Sequence, residues 1–546
     1  MSNSKNFVIA IGGTGMRCLE SFTHMCAMGL YDNMEFNVLT LDTDYTNGNK
    51  NRTENLINDY NQIKRGDSAD EANGKINNNT FFSAKLNLFD VVTDYGTQGR
   101  ENFSSLTNLA ADANELNDNK LLADLFLGQD VQDFNLAHGY RAQTHLGSYL
   151  MYHALVELAK KIAEDKASPK EQIFGKYLEL LYEAGSDAKI FVFGSVFGGT
   201  GASSIPIIPV ALNKALSIYG KGQQGISDEA KFGCTLLTEY FRFTKPKDSQ
   251  KSTKDDSVIA DSSFFTLNSQ AALQFYDEDP TVKSTYSKMY HLGWPKEFSS
   301  IDYSKNKGED KTITGGAAQK NGCHIIEFLC ATAAWDFFKS NEGYDKNKVS
   351  VLYKSVNFIN NQINLTFNDI IGDAENGNLF KEKFGNFIGF MHLVLTENDG
   401  ALGHDGTKLL LDRISESTSE YSTLESQYTT KLTEYFRKFG YSIEGSSFIP
   451  GWLYQIRSSF SGKLVLDEKA FTSNPKELKK LEPGKLFTEK EYHWKDTMIS
   501  GDTYDPFVKI LKDEDTKPTE NQNVDHKREK FIAHIYNAIN KSIKTN

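Results

Sequence analysis

Two glycine-rich loops, each preceded by a short apolar run, constrain the fold of this chain more than any other feature. The first loop, Gly12-Gly13-Thr14-Gly15, follows the β-favouring run Phe7–Ile11, and the second, Gly198-Gly199-Thr200-Gly201, follows Lys189–Phe193. Apolar residues at helical spacing come after each loop. Strand, glycine turn and helix in this order are typical of a parallel α/β sheet. We therefore predict an α/β fold with a parallel, Rossmann-type sheet.

The two loops also indicate a binding site for an anion. Because glycine has no Cβ, the backbone N–H groups of such a loop can approach a phosphate closely. A helix that begins at the loop adds the positive end of its dipole. Since the carboxyl ends of parallel strands share one edge of the sheet, we expect both loops to meet around the same phosphate chain.

Two common nucleotide motifs fit the loops less well. A P-loop requires a lysine after its last glycine, and neither loop has that lysine. A dinucleotide fold requires G-x-G-x-x-G, and Cys18 stands where the last glycine belongs. Asp42 is available for a ribose hydroxyl, so an NAD-binding oxidoreductase stays open as an alternative. That alternative leaves the second loop without a role.

Charge and composition indicate which kinds of binding partner are unsuited to this chain. The chain has 546 residues, with 60 Lys and Arg against 72 Asp and Glu, so its net charge is −12. An acidic chain is poorly suited to nucleic acid or to an anionic membrane surface. No apolar run approaches the roughly 18 residues of a membrane helix, and the run after the N-terminus is too short for a signal peptide. The five cysteines form no C-x-x-C pair, which favours reduced core residues and a cytoplasmic protein.

The second loop and its surroundings resemble the tubulin and FtsZ superfamily of GTPases. The family's phosphate loop, G-G-T-G-[SA]-G, here reads Gly198-Gly199-Thr200-Gly201-Ala202-Ser203, and Pro206 follows as in FtsZ-type proteins. The first loop is similar to the family's N-terminal G-x-x-G loop. Asp42-Thr43-Asp44 is similar to the N-T-D stretch of FtsZ, and Leu237–Phe243 to its V-T-x-P-F-x-F segment. These pieces cover residues 7–340 and resemble divergent bacterial tubulin-like proteins more than FtsZ or tubulin.

The resemblance implies a protein that binds GTP or GDP with Mg²⁺ and assembles head to tail into a homopolymer, with further protein partners left open. The resemblance implies that Gly139-Tyr140-Arg141 is the third loop, in which Arg141 offers a positive charge to the phosphates. It also implies that Asn268 recognises the edge of the guanine base. Mg²⁺ is expected to bridge phosphate oxygens, without an all-protein metal site. The implied nucleotide contacts are Gly12, Gly13, Thr14, Gly15, Asp42, Asp44, Gly139, Arg141, Gly198, Gly199, Thr200, Gly201, Ala202, Ser203, Glu239 and Asn268.

The catalytic acid of this family comes from the next subunit of the filament. FtsZ uses N-x-D-x-x-D before a helix, and Gly322–Glu327 here reads G-x-H-x-x-E. The resemblance therefore implies that Glu327, supplied in trans, orients the attacking water, with His324 in place of the first acid. Phe197 and Ser203 also replace glycines of the family pattern. A GTP-binding scaffold with little or no hydrolysis is thus an alternative.

The resemblance and the apolar pattern together suggest a division of the chain. Residues 1–266 are expected to form the GTP-binding domain, with polar insertions at 46–80 and 94–119. Residues 267–340 are expected to hold a central helix, an insertion and the acidic loop. The remaining predictions are an α+β activation-type domain over 341–480, with a strand at Phe387–Thr396, and a C-terminal extension over 481–546.

Overall fold

A seven-stranded parallel sheet forms the centre of the described part of the chain. Its strands are β1 Asn6–Ile11, β2 Glu35–Asp42, β3 Lys85–Val92, β4 Lys189–Phe193, β5 Lys231–Leu237, β6 Tyr286–Leu292 and β7 Ser350–Leu352. Their spatial order is β3-β2-β1-β4-β5-β6-β7, and each neighbouring pair is parallel. The computed structural model describes residues 5–44, 46–64, 75–92, 95, 100–106, 118–220, 225–226, 229–242, 261–294, 301–302, 316–339, 350–352, 358–359, 362–365, 374–398, 426–444, 447–459, 463–464, 492–494 and 509–545.

The α-helices of these residues are α1 Gly12–Ala27, α2 Gly48–Lys64, α3 Phe103–Leu106, α4 Asp118–Phe126, α5 Gln129–Asp133, α6 Thr144–Ala163, α7 Gln172–Ala184, α8 Thr200–Ser204, α9 Ile208–Tyr219, α10 Phe265–Glu278, α11 Pro280–Thr285, α12 Ile325–Lys339, α13 Ala374–Asn398, α14 Ser426–Phe439, α15 Trp452–Ser458 and α16 Lys527–Ser542. None of these helices has the length and apolarity needed to cross a membrane. Short 3₁₀ turns are found at Leu136–His138, Gly185–Asp187, Ser262–Phe264, Glu514–Thr516 and Glu520–Gln522.

Short strands outside the main sheet form small pairs. Phe241–Arg242 pairs with Ile301–Asp302 in parallel, and Tyr441–Glu444 pairs with Ser447–Pro450 as an antiparallel hairpin. The other small strands are Phe358–Ile359, Gln362–Leu365, Lys463–Leu464, Tyr492–Trp494 and Ile543–Thr545. None of them extends the parallel sheet.

Both faces of the main sheet are covered, which explains why its strands are almost continuously apolar. In β1, Val8 and Ala10 point to the face on which α1 and α12 pack, whereas Phe7, Ile9 and Ile11 point to the face covered by α6, α7 and α9. The α/β prediction and the strands expected before the two glycine loops are therefore confirmed.

Two element predictions are wrong. Residues 46–80, expected to be a polar insertion, contain α2, whose Leu56 and Tyr60 are buried in the core. The strand predicted at Phe387–Thr396 is part of α13. A helix that is buried on most sides has a continuous apolar run, which resembles that of a buried strand. Its helical spacing is visible only over a longer window, in Phe380, Phe384, Phe387, Ile388 and Met391. The insertion predicted at 94–119 lies partly outside the described residues.

The helix expected at the centre of the molecule lies on its surface. In α10 only Phe265, Ser269 and Tyr276 are buried. Leu267 is 60% exposed and Phe275 is 51% exposed. This helix, which lies between β5 and β6 in the sequence, therefore packs against the rest of the protein along one side only.

The C-terminal helices share one apolar core with the N-terminal part of the chain. Side chains of α13, α14 and α16 pack in the same cluster as those of α1 and α2. Buried Lys383 on α13 links this cluster, because its Nζ donates to Asp32 Oδ2 at 3.1 Å and to Tyr536 Oη at 2.6 Å. The C-terminal residues are thus structural partners of the sheet domain.

Replacing Lys383 with Ala is expected to lower the free energy of unfolding by about 3 kcal/mol, because removing one member of a buried ion pair leaves the other uncompensated. Urea unfolding followed by tryptophan fluorescence measures this change. The matched control is Lys541→Ala, which removes a partly exposed ion pair with Asp513 and Asp515 and is expected to cost less than about 1 kcal/mol. Equal losses in both variants contradict the buried linkage.

Candidate functional site

Three loops converge at the carboxyl end of the sheet, where the strand order reverses between β1 and β4. This switch point is the usual ligand crevice of an open α/β sheet. The cleft there is lined by most of the predicted site residues, namely Gly12, Gly13, Thr14, Asp42, Asp44, Gly139, Arg141, Gly198, Gly199, Thr200 and Gly201. The structure therefore brings together the two glycine loops, the third loop and the acidic pair.

The loops touch each other so closely that side chains at the contacts are excluded. A Cβ on Gly12 would lie 3.2 Å from Thr200 Cβ, and Gly12 has a φ of +66°, which favours glycine. A Cβ on Gly199 would lie 2.7 Å from the backbone nitrogen of Ala142. Glycine at these two positions is thus required by the approach of one loop to the next.

The third loop has an unusual backbone. Gly139, Arg141 and Ala142 have φ values of +79°, +46° and +65°, and left-handed conformations at non-glycine residues cluster at functional sites. A Cβ on Gly139 would lie 3.7 Å from both Thr43 Oγ1 and Thr200 Oγ1. Thr43 Oγ1 is buried and has no hydrogen-bond partner among the described residues. This hydroxyl lies next to Gly139 and Thr200, which line the cleft, and a buried hydroxyl without a partner is a group that a polar ligand would satisfy.

The acidic pair forms one wall of the cleft. Burial, reinforced by the neighbouring Asp44 carboxylate, raises the pKa of Asp42 to about 7. Asp44 Oδ2 accepts the backbone N–H of Gly316 at 2.5 Å, and its Oδ1 accepts the Thr46 hydroxyl at 2.9 Å. The pair thus places negative charge beside the glycine loops and ties the segment that begins at Gly316 to the edge of the cleft.

Arg17 lies at the base of the cleft and is paired with Glu327 of the same chain. Arg17 Nε donates to Glu327 Oε1 at 2.5 Å, and Arg17 Nη2 donates to Tyr240 Oη at 2.6 Å. The Tyr240 hydroxyl donates to the same Glu327 oxygen. Both members of the ion pair are buried, at 2% and 0% side-chain exposure. Oε1 of the carboxylate therefore has two side-chain partners within its own chain.

Both residues predicted to form the catalytic acid site lie in the interior. Glu327 is in the first turn of α12, and its Oε2 accepts the backbone N–H of His324 at 2.8 Å. His324 is also buried, and burial lowers its pKa to about 3, so its ring is neutral at pH 7. Both side chains are buried within their own chain. The structure therefore does not show Glu327 at a surface, and its supply to a neighbouring subunit stays a prediction of the resemblance.

The remaining predicted contacts do not line the cleft. Gly15 allows α1 to pack on the sheet, because a Cβ there would lie 2.6 Å from Phe193 O. Ala202 and Ser203 are buried behind the second loop, and the Ser203 hydroxyl donates to Thr200 O at 3.0 Å. Glu239 accepts the Ser269 hydroxyl at 2.7 Å, and Asn268 Nδ2 donates to Phe197 O at 3.2 Å. Each of these polar side chains thus has a structural partner.

Several cleft residues were not predicted from the sequence. Phe197, Phe241 and Phe265 form an aromatic wall, with ring centroids 4.9 to 6.1 Å apart. The other unpredicted lining residues are Ile11, Arg17, Asn47, Ala142, Ser195 and Gln319, and Tyr140 of the predicted third loop also lines the cleft. A local signal existed for Arg17, which follows the first loop by two residues. Gln319 carries no such signal, because it reaches the cleft through a contact with Asn47 from a distant part of the chain.

The cleft is small. Its volume is about 140 Å³, whereas pockets that bury most of a drug-sized ligand hold roughly 300–1,000 Å³. The cleft as it stands therefore has room for a phosphate-sized group and not for a whole nucleotide.

No protein-family model matches the chain, and no curated protein matches it either. The relationship to tubulin and FtsZ thus rests on the motifs and stays a prediction. The parallel sheet order is common to many α/β proteins that bind nucleotides, so the fold by itself does not select one function.

Asp42→Asn is expected to raise the thermal midpoint at pH 8 by several degrees and to change it less at pH 5. The folded-state pKa of Asp42, about 7, lies above the ordinary 3.8, so the wild type loses stability as the pH rises between these values. Thermal melts from pH 4 to 8.5 measure the difference. Asp187→Asn is the control, because the exposed ion pair with Lys5 lowers the pKa of Asp187. An Asp42→Asn midpoint that follows the wild type at every pH contradicts the prediction.

Proposed function

We propose that the chain is a GTP-binding protein that holds the phosphates of the nucleotide between its two glycine loops. The convergence of three loops at the switch point of the sheet carries this proposal. The partnerless hydroxyl of Thr43 beside Gly139 supports it, because a phosphate oxygen is an acceptor for that hydroxyl. The N-terminus of α1, where no side chain caps the first turn, supports anion binding as well.

The choice of GTP rests on the tubulin-like motifs, whereas the choice of a phosphorylated ligand rests on the cleft. Phe197, Phe241 and Phe265 offer an apolar surface for a base or a ribose. A dinucleotide is less well supported, since both glycine loops line one small cleft and neither is left over for a second half of the ligand. Competition between GTP, ATP and NAD for the same site separates these ligands.

The residues at the cleft also fit a bound Mg²⁺. Magnesium prefers carboxylate and hydroxyl oxygens together with phosphate oxygens. Asp42 and Asp44 line the cleft, and the hydroxyl of Thr43 lies between them in sequence. When bound, the cation would offset the repulsion between these carboxylates and the phosphates.

Two versions of the function differ in hydrolysis. The resemblance implies filaments that hydrolyse GTP between subunits with Glu327 of the next copy. The pairing of Glu327 with Arg17 in its own chain supports the other version, a GTP-binding scaffold with little turnover. Head-to-tail self-assembly belongs to both versions.

Gly198→Asp is expected to weaken binding of a fluorescent GTP analogue, mant-GTP, by at least about 100-fold through charge repulsion in the cleft. A side chain at this position fits the fold, because the nearest atom to its Cβ is Ser195 Oγ at 3.7 Å. Gly128→Asp is the matched control, since Gly128 is exposed between α4 and α5 with nothing within 4 Å of its Cβ. Unchanged mant-GTP affinity in Gly198→Asp, with wild-type thermal stability, contradicts the proposed site.

GTP turnover of the wild type is expected to be low and proportional to protein concentration, even where light scattering and electron microscopy with Mg²⁺ and GTP detect polymers. Phosphate release over a range of protein concentrations measures it. A specific rate that rises steeply with concentration and is abolished by Glu327→Ala supports hydrolysis in trans instead. Equal and near-zero turnover in both proteins supports the scaffold.

A further inference from the structure

We propose that Arg17 is a phosphate-binding residue of the cleft and that Glu327 is its positioning residue. The inference rests on the proposed function, because it names the positively charged side chain that binds the phosphate in that same site. It assigns to Arg17 the electrostatic role that a lysine has in a P-loop, which both glycine loops lack.

The guanidinium of Arg17 is directed toward the first glycine loop. Its Nη2 donates to Thr14 Oγ1 at 3.3 Å, and its Nη1 lies 3.9 Å from where a Cβ on Gly13 would be. Thr14, Gly13 and Arg17 all line the cleft. A phosphate held by the first loop would therefore be next to the guanidinium.

The partners of the guanidinium differ in strength from one edge to the other. On the Nε side, Glu327 accepts a short, charge-assisted bond of 2.5 Å. On the Nη side, the acceptors are neutral oxygens: Nη2 donates to Tyr240 Oη at 2.6 Å and to Thr14 Oγ1 at 3.3 Å, and Nη1 donates to Asn321 Oδ1 at 3.4 Å. A charged phosphate oxygen is a stronger acceptor than a neutral hydroxyl or amide oxygen, so the two long contacts, with Thr14 and Asn321, are the ones that a ligand would replace.

Glu327 keeps this arrangement in place. An arginine stays charged in proteins, and a buried cation needs a counter-charge. The Glu327 carboxylate supplies it from the first turn of α12, where the backbone N–H of His324 and the hydroxyl of Tyr240 hold its two oxygens. Because the carboxylate pairs with Nε and Tyr240 pairs with Nη2, the guanidinium is held with its Nη groups beside Thr14 and Gly13 of the cleft. The same carboxylate also offsets part of the positive charge of Arg17, so a bound phosphate would be attracted less strongly than by Arg17 alone.

The two members of the pair are therefore expected to have opposite effects on mant-GTP affinity. The double variant Arg17→Met with Glu327→Met replaces the buried pair with apolar side chains, which such sites often tolerate. It is expected to weaken mant-GTP binding roughly 10- to 100-fold, the loss of one charge-assisted contact. Glu327→Gln keeps the shape and removes the offsetting charge, and it is expected to tighten binding about three- to tenfold.

The control is a second ion pair, which joins α1 to α2 outside the cleft. Arg52 Nη2 and Glu20 Oε2 are 2.6 Å apart, and Arg52 also donates to Asn321 O, yet neither side chain lines the cleft. Arg52→Met with Glu20→Met is expected to leave mant-GTP affinity within about twofold of the wild type. Thermal melts of each variant report whether the fold is retained.

The titrations distinguish the failure of this inference from that of the proposed function. Opposite shifts in the two Glu327 variants support the role of Arg17, since a purely structural ion pair has no reason to tighten binding when it is weakened. A wild type that binds mant-GTP while the Arg17→Met, Glu327→Met variant binds it equally well overturns the inference alone. A wild type that does not bind mant-GTP overturns the proposed function and this inference with it.

Discussion

The parallel pairing of β1 with β4 creates the cleft, although the whole segment from α1 to α7 separates these strands in sequence. Asn6 is opposite Lys189, and Ala10 is opposite Phe193, so the strands end at nearly the same level. A glycine loop follows each strand. Because the two loops leave adjacent strands at one level, they must meet, and glycine at Gly12 and Gly199 lets them do so. The third loop and the acidic pair are then arranged around that contact.

Local sequence patterns predicted the strands and helices whose apolar residues follow a clear pattern along the chain. The strands before the glycine loops are apolar on both faces, and helix α6 has a clear apolar stripe, so both were predictable. The third loop was predicted from a resemblance and not from a pattern, and its left-handed backbone at Arg141 and Ala142 has no sequence signal. The strand predicted at Phe387–Thr396 was wrong because burial on most sides of α13 conceals its period.

The least predictable part of the site is the base of the cleft. Arg17 and Glu327 are 310 residues apart, and each side chain alone is compatible with a surface position. Glu327 in particular was interpreted as a catalytic acid for the next subunit, because the resemblance to FtsZ places it at the second acidic position of the catalytic loop. Only the packing of α12 against α1 on one face of the sheet shows that the two charges are buried together.

The contact between the C-terminal segment and the N-terminal core has a consequence for biosynthesis. Gln522 Nε2 donates to Asn79 O across 443 residues of chain, and α16 covers apolar side chains that the first ninety residues expose. At a translation rate of roughly 5–20 residues per second, the ribosome needs about 20 to 90 s to make this intervening chain. Until the last helix has been made, the nascent chain therefore exposes the apolar N-terminal surface that α16 covers in the folded protein.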